Sequence, residues 1–102
     1  QKSPEIIMAK APEDKYYTNV MLAQSADLLL TLKGIECSFA IGYLEEGKVG
    51  ISARSLGNIN VQLIMEELGG GGHLANAATQ IEGVNLDEAL ERLNDAIDKI
   101  LS

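Results

Sequence analysis

The sequence predicts an α+β domain, a mixed sheet of about four strands with helices packed on it, in the order β-α-β-β-α-β-α. Three observations carry that expectation. Apolar residues alternate from Ile35 to Tyr43, they recur at helical spacing from Leu86 to Ile100, and turn or capping residues separate the segments. At 102 residues, 46% hydrophobic and 23% charged, the chain is long enough for one core and too short for two.

The elements follow in order. "EIIMAKA" (5–11) reads as a short strand that Pro12 ends. Thr18 caps a helix running to about Lys33, with Leu22, Ala26, Leu29 and Leu30 on one face, and Gly34 stands where a left-handed cap is expected. Ile35, Cys37, Phe39, Ile41 and Tyr43 then mark a half-buried strand. "EEGK" (45–48) turns the chain into an antiparallel partner strand beginning Val49, Ile51, Ala53, which puts Ser52 and Arg54 on the face opposite Ile51. Asn60 caps a short helix bearing Val61, Ile64, Met65 and Leu68, and the glycines after it stop that helix. "ATQIEG" (78–83) reads as the last strand. Asn85 and Glu88 have capping-box spacing, ahead of a final helix striped by Leu86, Leu90, Leu93, Ile97 and Ile100.

Composition narrows the function. A formal charge of −7, with no cluster among the eight basic residues, argues against duplex nucleic acid as a partner, because such binding needs many phosphates neutralised. Any anionic ligand must be held by a few local groups. The single cysteine, Cys37, cannot form an internal disulfide and reads as a buried, inert thiol. No Cys/His spacing suggests a metal site, and no apolar run approaches the roughly 20 residues of a membrane span. The chain starts at Gln1, which reads as a single domain, 1–102, excised from a longer polypeptide.

"MEELGGGGHLANAATQI" (65–81) holds four consecutive glycines and the only histidine. Four glycines cost roughly 2–4 kcal/mol of backbone entropy relative to alanine, against a total stability of roughly 5–15 kcal/mol. Gly70, Gly72 and Ala75 match a dinucleotide-binding G-x-G-x-x-A, but they follow a helix instead of a strand. A Walker loop fails for want of Lys-Ser or Lys-Thr. Helix termination accounts for Gly69 and Gly70. A backbone cradle, with Gly69–Gly72 amides free for an anion and His73 as an added donor, accounts for the whole run. "SARS" (52–55) adds a guanidinium fork at Arg54 suited to phosphate, beside small hydroxyls; a solvated or salt-bridged surface arginine is the plainer reading of the same pattern.

Together, Ala-Arg-Ser, an amphipathic helix, Gly-Gly-Gly-Gly-His and Asn-Ala-Ala resemble the DHH-associated C-terminal domain of the DHH-family phosphoesterases over nearly the whole chain. The likeness is greatest to the last domain of the GdpP-type cyclic di-AMP phosphodiesterases of Gram-positive bacteria. The resemblance implies a substrate-binding domain that closes over a preceding DHH domain carrying two manganese ions, in a parent hydrolysing cyclic di-AMP to linear pApA. It implies that Arg54 and Ser55 hold phosphate oxygens, that Gly69, Gly70, Gly71 and Gly72 admit the nucleotide, that His73 contacts phosphate or base, and that Asn76 is the polar position after it. Where many relatives read Ala-Ala-Gly, this chain reads Ala-Ala-Thr (77–79), and Thr79 receives no role.

The clustered acidic and histidine motif of a two-metal centre is absent, so no catalytic or metal-ligating residue and no cofactor is assigned to this chain itself. The expected partners are a cyclic or linear dinucleotide and the preceding DHH domain, with a homodimer of the parent left open. The expected location is cytoplasmic, whether or not the parent has a membrane anchor. Two other readings stand beside this one: the same role in an oligonucleotide exonuclease of the nanoRNase type, and a non-catalytic interaction or dimerisation module.

Overall fold

The computed structural model describes residues 5–102; the first four positions of the expected 1–102 domain lie outside them. The elements are β1 (Ile6–Lys10), α1 (Asn19–Leu30), β2 (Cys37–Glu45), β3 (Lys48–Ser55), α2 (Val61–Glu67), β4 (Gly71–His73), β5 (Asn76–Glu82) and α3 (Leu86–Leu101). Five strands form one sheet in the order β1-β2-β3-β5-β4, with β1 parallel to β2 and every other pair antiparallel. The mixed α+β architecture agrees with the sequence expectation. The order gains one strand.

That strand is β4. Glycine is depleted in strands because it has no side chain to pack, so a glycine run reads as a breaker. Here Gly71, Gly72 and His73 nevertheless pair with Ala78, Ala77 and Asn76 of β5, and Leu74 and Ala75 make the turn between them. The last strand consequently starts at Asn76, before the expected Ala78.

The two sheet faces are covered differently. On one, α2 and α3 pack over Phe39, Ile41, Val49, Ile51 and Ile81 in a continuous core closed by Ile64, Met65, Leu86, Leu93 and Ile97. Full burial of each large aliphatic or aromatic side chain there contributes about 1.5–3 kcal/mol. On the other face, α1 alone packs, through Leu22 and Ala26 against Ala40.

This second layer explains why β2 is buried on both faces through Gly42 instead of being half-buried as its alternation suggests. The residues between its apolar ones are small, so α1 can lie close. Ser38 donates its hydroxyl to the Ala26 carbonyl at 2.6 Å, and a Cβ at Gly42 or Gly50 would press on Leu22 at 3.3 and 3.0 Å.

The capping residues act as their local chemistry predicts. Thr18 accepts from the Met21 amide, Asn60 from Leu63 and Asn85 from Glu88. Helix α1 ends at Leu30, ahead of the expected Lys33, because the Thr31 and Leu32 amides turn back to Leu28 and Leu29 in a tighter turn. Gly34 then takes φ +85°. Cys37 is fully buried, and burial pushes its thiol pKa up to about 12. No helix among the described residues is long and apolar enough to cross a membrane.

Candidate functional site

Strand register assembles the site. Arg54 of β3 stands opposite Asn76 of β5, and Asn76 stands opposite His73 of β4. Directly opposed residues of antiparallel strands share a face, so the three side chains form one row across three strands. Along β5, Asn76, Ala78 and Gln80 are exposed while Ala77, Thr79 and Ile81 are buried beneath α2 and α3. The row therefore lies on the α1 side, with Arg54 beside α1 and Asn76 and His73 exposed beyond it. The next row on the same face is built of small residues: Ser52 opposite Ala78, and Ala78 opposite Gly71. Ser52 is buried, so the accessible floor beside the three nitrogen-bearing side chains is Ala78 and Gly71.

Each glycine of the run has its own cause. Gly69 takes φ +84° and ends α2 in a Schellman motif, with Gly70 N–H donating to the Met65 carbonyl at 2.8 Å and Gly69 N–H to Glu66 at 3.1 Å. A Cβ on Gly70 would stand 2.2 Å from the Ala78 carbonyl oxygen. Gly72 has φ +144°, and a Cβ there would meet the Ala77 Cα at 2.6 Å. Gly71 differs. Its φ is ordinary and a Cβ there would meet nothing within 4 Å, so the fold itself does not require glycine at this position.

The expected cradle of four bare amides therefore does not form. The amides of Gly69 and Gly70 are engaged by the end of α2, and the steric demands of Gly70 and Gly72 come from β5, not from a ligand. The opening that remains is at Gly71.

Local bonds orient the row. Arg54 is largely buried; its Nε donates to Asp27 Oδ1 of α1 at 2.7 Å and its Nη1 to the Ala53 carbonyl at 2.9 Å. Nη2 makes no hydrogen bond among the described residues, so part of the guanidinium remains available as a donor. His73 Nδ1 accepts a long bond, 3.4 Å, from the Ala75 amide, which puts the neutral ring's proton on Nε2 as a donor. The turn behind it is braced from two sides: the Ser55 amide donates to the Ala75 carbonyl at 3.0 Å and the Val61 amide to Leu74 at 2.9 Å.

Ser55 and Thr79 point elsewhere. Ser55 is buried, and its hydroxyl donates to the Ile59 carbonyl at 2.7 Å and accepts from the Gly57 amide, holding the loop that leads into α2. The structure thus does not bring that hydroxyl together with Arg54, Asn76 and His73. Thr79 lies on the helix-covered face, where its hydroxyl donates to the Leu68 carbonyl at 2.9 Å; it cannot narrow a pocket on the other side.

Sequence reasoning missed Asp27 and the Ala78–Gly71 floor. Asp27 sits in a helix far along the chain from Arg54, and no local spacing signals that contact. Among the described residues, no group of three or more His, Cys, Asp or Glu side chains could hold a metal ion. A groove of about 310 Å³ between α2, β5 and α3 carries Arg92 and Lys99, but Glu67 holds Lys99 at 3.0 Å and the groove opens on the opposite face from the row.

Comparisons with known proteins bear on this geometry. The profile of the DHHA1 domain matches residues 4–102. The cyclic-di-AMP phosphodiesterase GdpP of Bacillus subtilis is 54% identical over 96 residues, covering 92% of this chain and 15% of the relative. The bifunctional oligoribonuclease and PAP phosphatase NrnA of Thermus thermophilus is 34% identical over 100 residues, covering 95% of this chain and 29% of the relative. A solved exopolyphosphatase-related protein from Bacteroides fragilis matches with a TM-score of 0.64 at 25% identity, covering 72% of this chain and 22% of that one. The chain therefore spans less than a third of each of these proteins.

Proposed function

The chain belongs to the DHHA1 domain family, and from that premise we propose that it is the substrate-gripping domain of a phosphodiesterase that opens cyclic di-AMP to linear pApA. The observation that carries this reading is the Arg54–Asn76–His73 row beside the small-residue floor at Gly71.

The chemistry follows from the donors. The free part of the Arg54 guanidinium and the Nε2–H of His73 donate to phosphate oxygens from two sides of Asn76, whose amide donates or accepts between them. With a net charge of −7 on the chain, these local donors must hold an anion against the long-range field. The accessible floor of Ala78 and Gly71 lets a ribose or a base lie on the sheet, since neither projects a large side chain.

The described residues do not fit the two manganese ions that would activate water in such an enzyme. We assign those ions to a preceding DHH domain of a parent working in the cytoplasm.

The test is turnover of cyclic di-AMP by the full-length enzyme. Arg54→Ala and His73→Ala are each expected to lower kcat/KM by about 10²-fold or more. Turnover within about twofold of wild type for both, against that expectation, removes the assignment.

The likeness to the Thermus protein favours a second reading, in which the same row grips the terminal phosphate of a short linear oligonucleotide. The ratio of kcat/KM for cyclic di-AMP to that for pApA separates the two.

A further inference from the structure

We propose that Asp27 is a positioning residue for the phosphate grip of Arg54, an inference that rests on the reading of the site given above. Asp27 is the one charged residue of α1, and its carboxylate oxygen meets Arg54 Nε at 2.7 Å. The Ala53 carbonyl holds Nη1 at 2.9 Å. Two anchors from different parts of the fold therefore fix the guanidinium plane, and neither takes Nη2.

Their roles differ. The Ala53 carbonyl belongs to the residue preceding Arg54 and moves with it. Asp27 belongs to a helix that Leu22, Ala26 and the Ser38 bond fix to the sheet, so it alone sets the direction of the side chain relative to the row. Asp27 is 61% exposed and Arg54 only 13%, so the pair is half-buried, and Asp27→Asn, which keeps an acceptor oxygen, controls for any loss of stability. The effect of Asp27 falls on pre-organisation: a flexible arginine loses the alignment with His73 that gripping one phosphate from two sides demands.

A counter-ion and a positioning group are distinguishable. A carboxylate that merely neutralised Arg54 would weaken phosphate binding, and its removal would help. A positioning acceptor is needed for its oxygen, which asparagine also supplies.

The experiment uses the full-length enzyme with cyclic di-AMP, comparing Asp27→Ala, Asp27→Asn, Arg54→Ala and the double alanine variant. Asp27→Ala is expected to lower kcat/KM about tenfold, Asp27→Asn to recover most of that loss, and Asp27→Ala to add nothing in the Arg54→Ala background. A severe Arg54→Ala defect with Asp27→Ala within about twofold of wild type overturns the positioning role while leaving the site reading intact. A rise in kcat/KM in both Asp27 variants also overturns it, by showing a competing counter-ion. An Arg54→Ala enzyme of wild-type activity removes the site reading itself, and the positioning role with it.

Discussion

Arg54 and His73 are cross-strand neighbours of the same residue, Asn76, on β3 and β4 either side of β5. A sheet of different strand order would scatter these side chains. The antiparallel register puts them on one face, and the short β4 hairpin brings the only histidine to a three-residue edge strand. The glycine run is the means. Gly69 ends α2, Gly70 and Gly72 let the chain pass closely over β5, and Gly71 leaves the open face bare.

The glycines divide under substitution. Gly70→Ala and Gly72→Ala force a methyl group into β5 backbone and should each destabilise the domain by about 1–3 kcal/mol. Gly71→Ala should leave stability within about 0.5 kcal/mol, because its Cβ enters open space. The same substitution should lower kcat/KM of the full-length enzyme about tenfold by lifting the nucleotide off the floor. Denaturant unfolding of the domain and turnover of the enzyme check the two halves separately.

Thr79 should matter to stability and not to binding. Thr79→Val keeps the volume and removes the donor to the Leu68 carbonyl, at a cost of about 1–2 kcal/mol. Chemical denaturation measures that loss, and nucleotide affinity should stay at its wild-type value because the side chain faces α2.

These two cases mark how far the sequence could be read. The caps at Thr18, Asn60 and Asn85, the hairpin at 45–48 and the core stripe of α3 are local patterns, and all are legible within a few residues. The β4 strand is not, because its pairing, and not its composition, makes it a strand. The burial of both faces of β2 depends on α1 settling over Ser38, Ala40 and Gly42, a tertiary event. Arg54, Asn76 and His73 could be singled out one by one, but their common row depends on sheet order. The contact of Arg54 with Asp27 depends on where α1 packs.

Cys37 supplies a pH dependence of known sign. Its thiol is raised from 9.0 to about 12 by burial, so between those values the unfolded chain ionises while the folded one stays protonated. Its contribution is complete below about pH 9 and falls by about 1.4 kcal/mol per pH unit up to about pH 12. The difference in stability between wild type and Cys37→Ala, followed by denaturation from pH 8 to 11, should shrink accordingly, since other titrating groups cancel in the comparison. At pH 8 the native thiol should resist alkylation until the chain unfolds.

Amide chemical-shift mapping of the domain titrated with cyclic di-AMP tests most directly where a nucleotide sits. Binding should be weak, with shifts concentrated at residues 52–54 and 71–78 and none around Arg92, Asp95 and Lys99. Shifts confined to that α2–α3 groove, or none anywhere at about millimolar ligand, would contradict a phosphate grip centred on Arg54, Asn76 and His73.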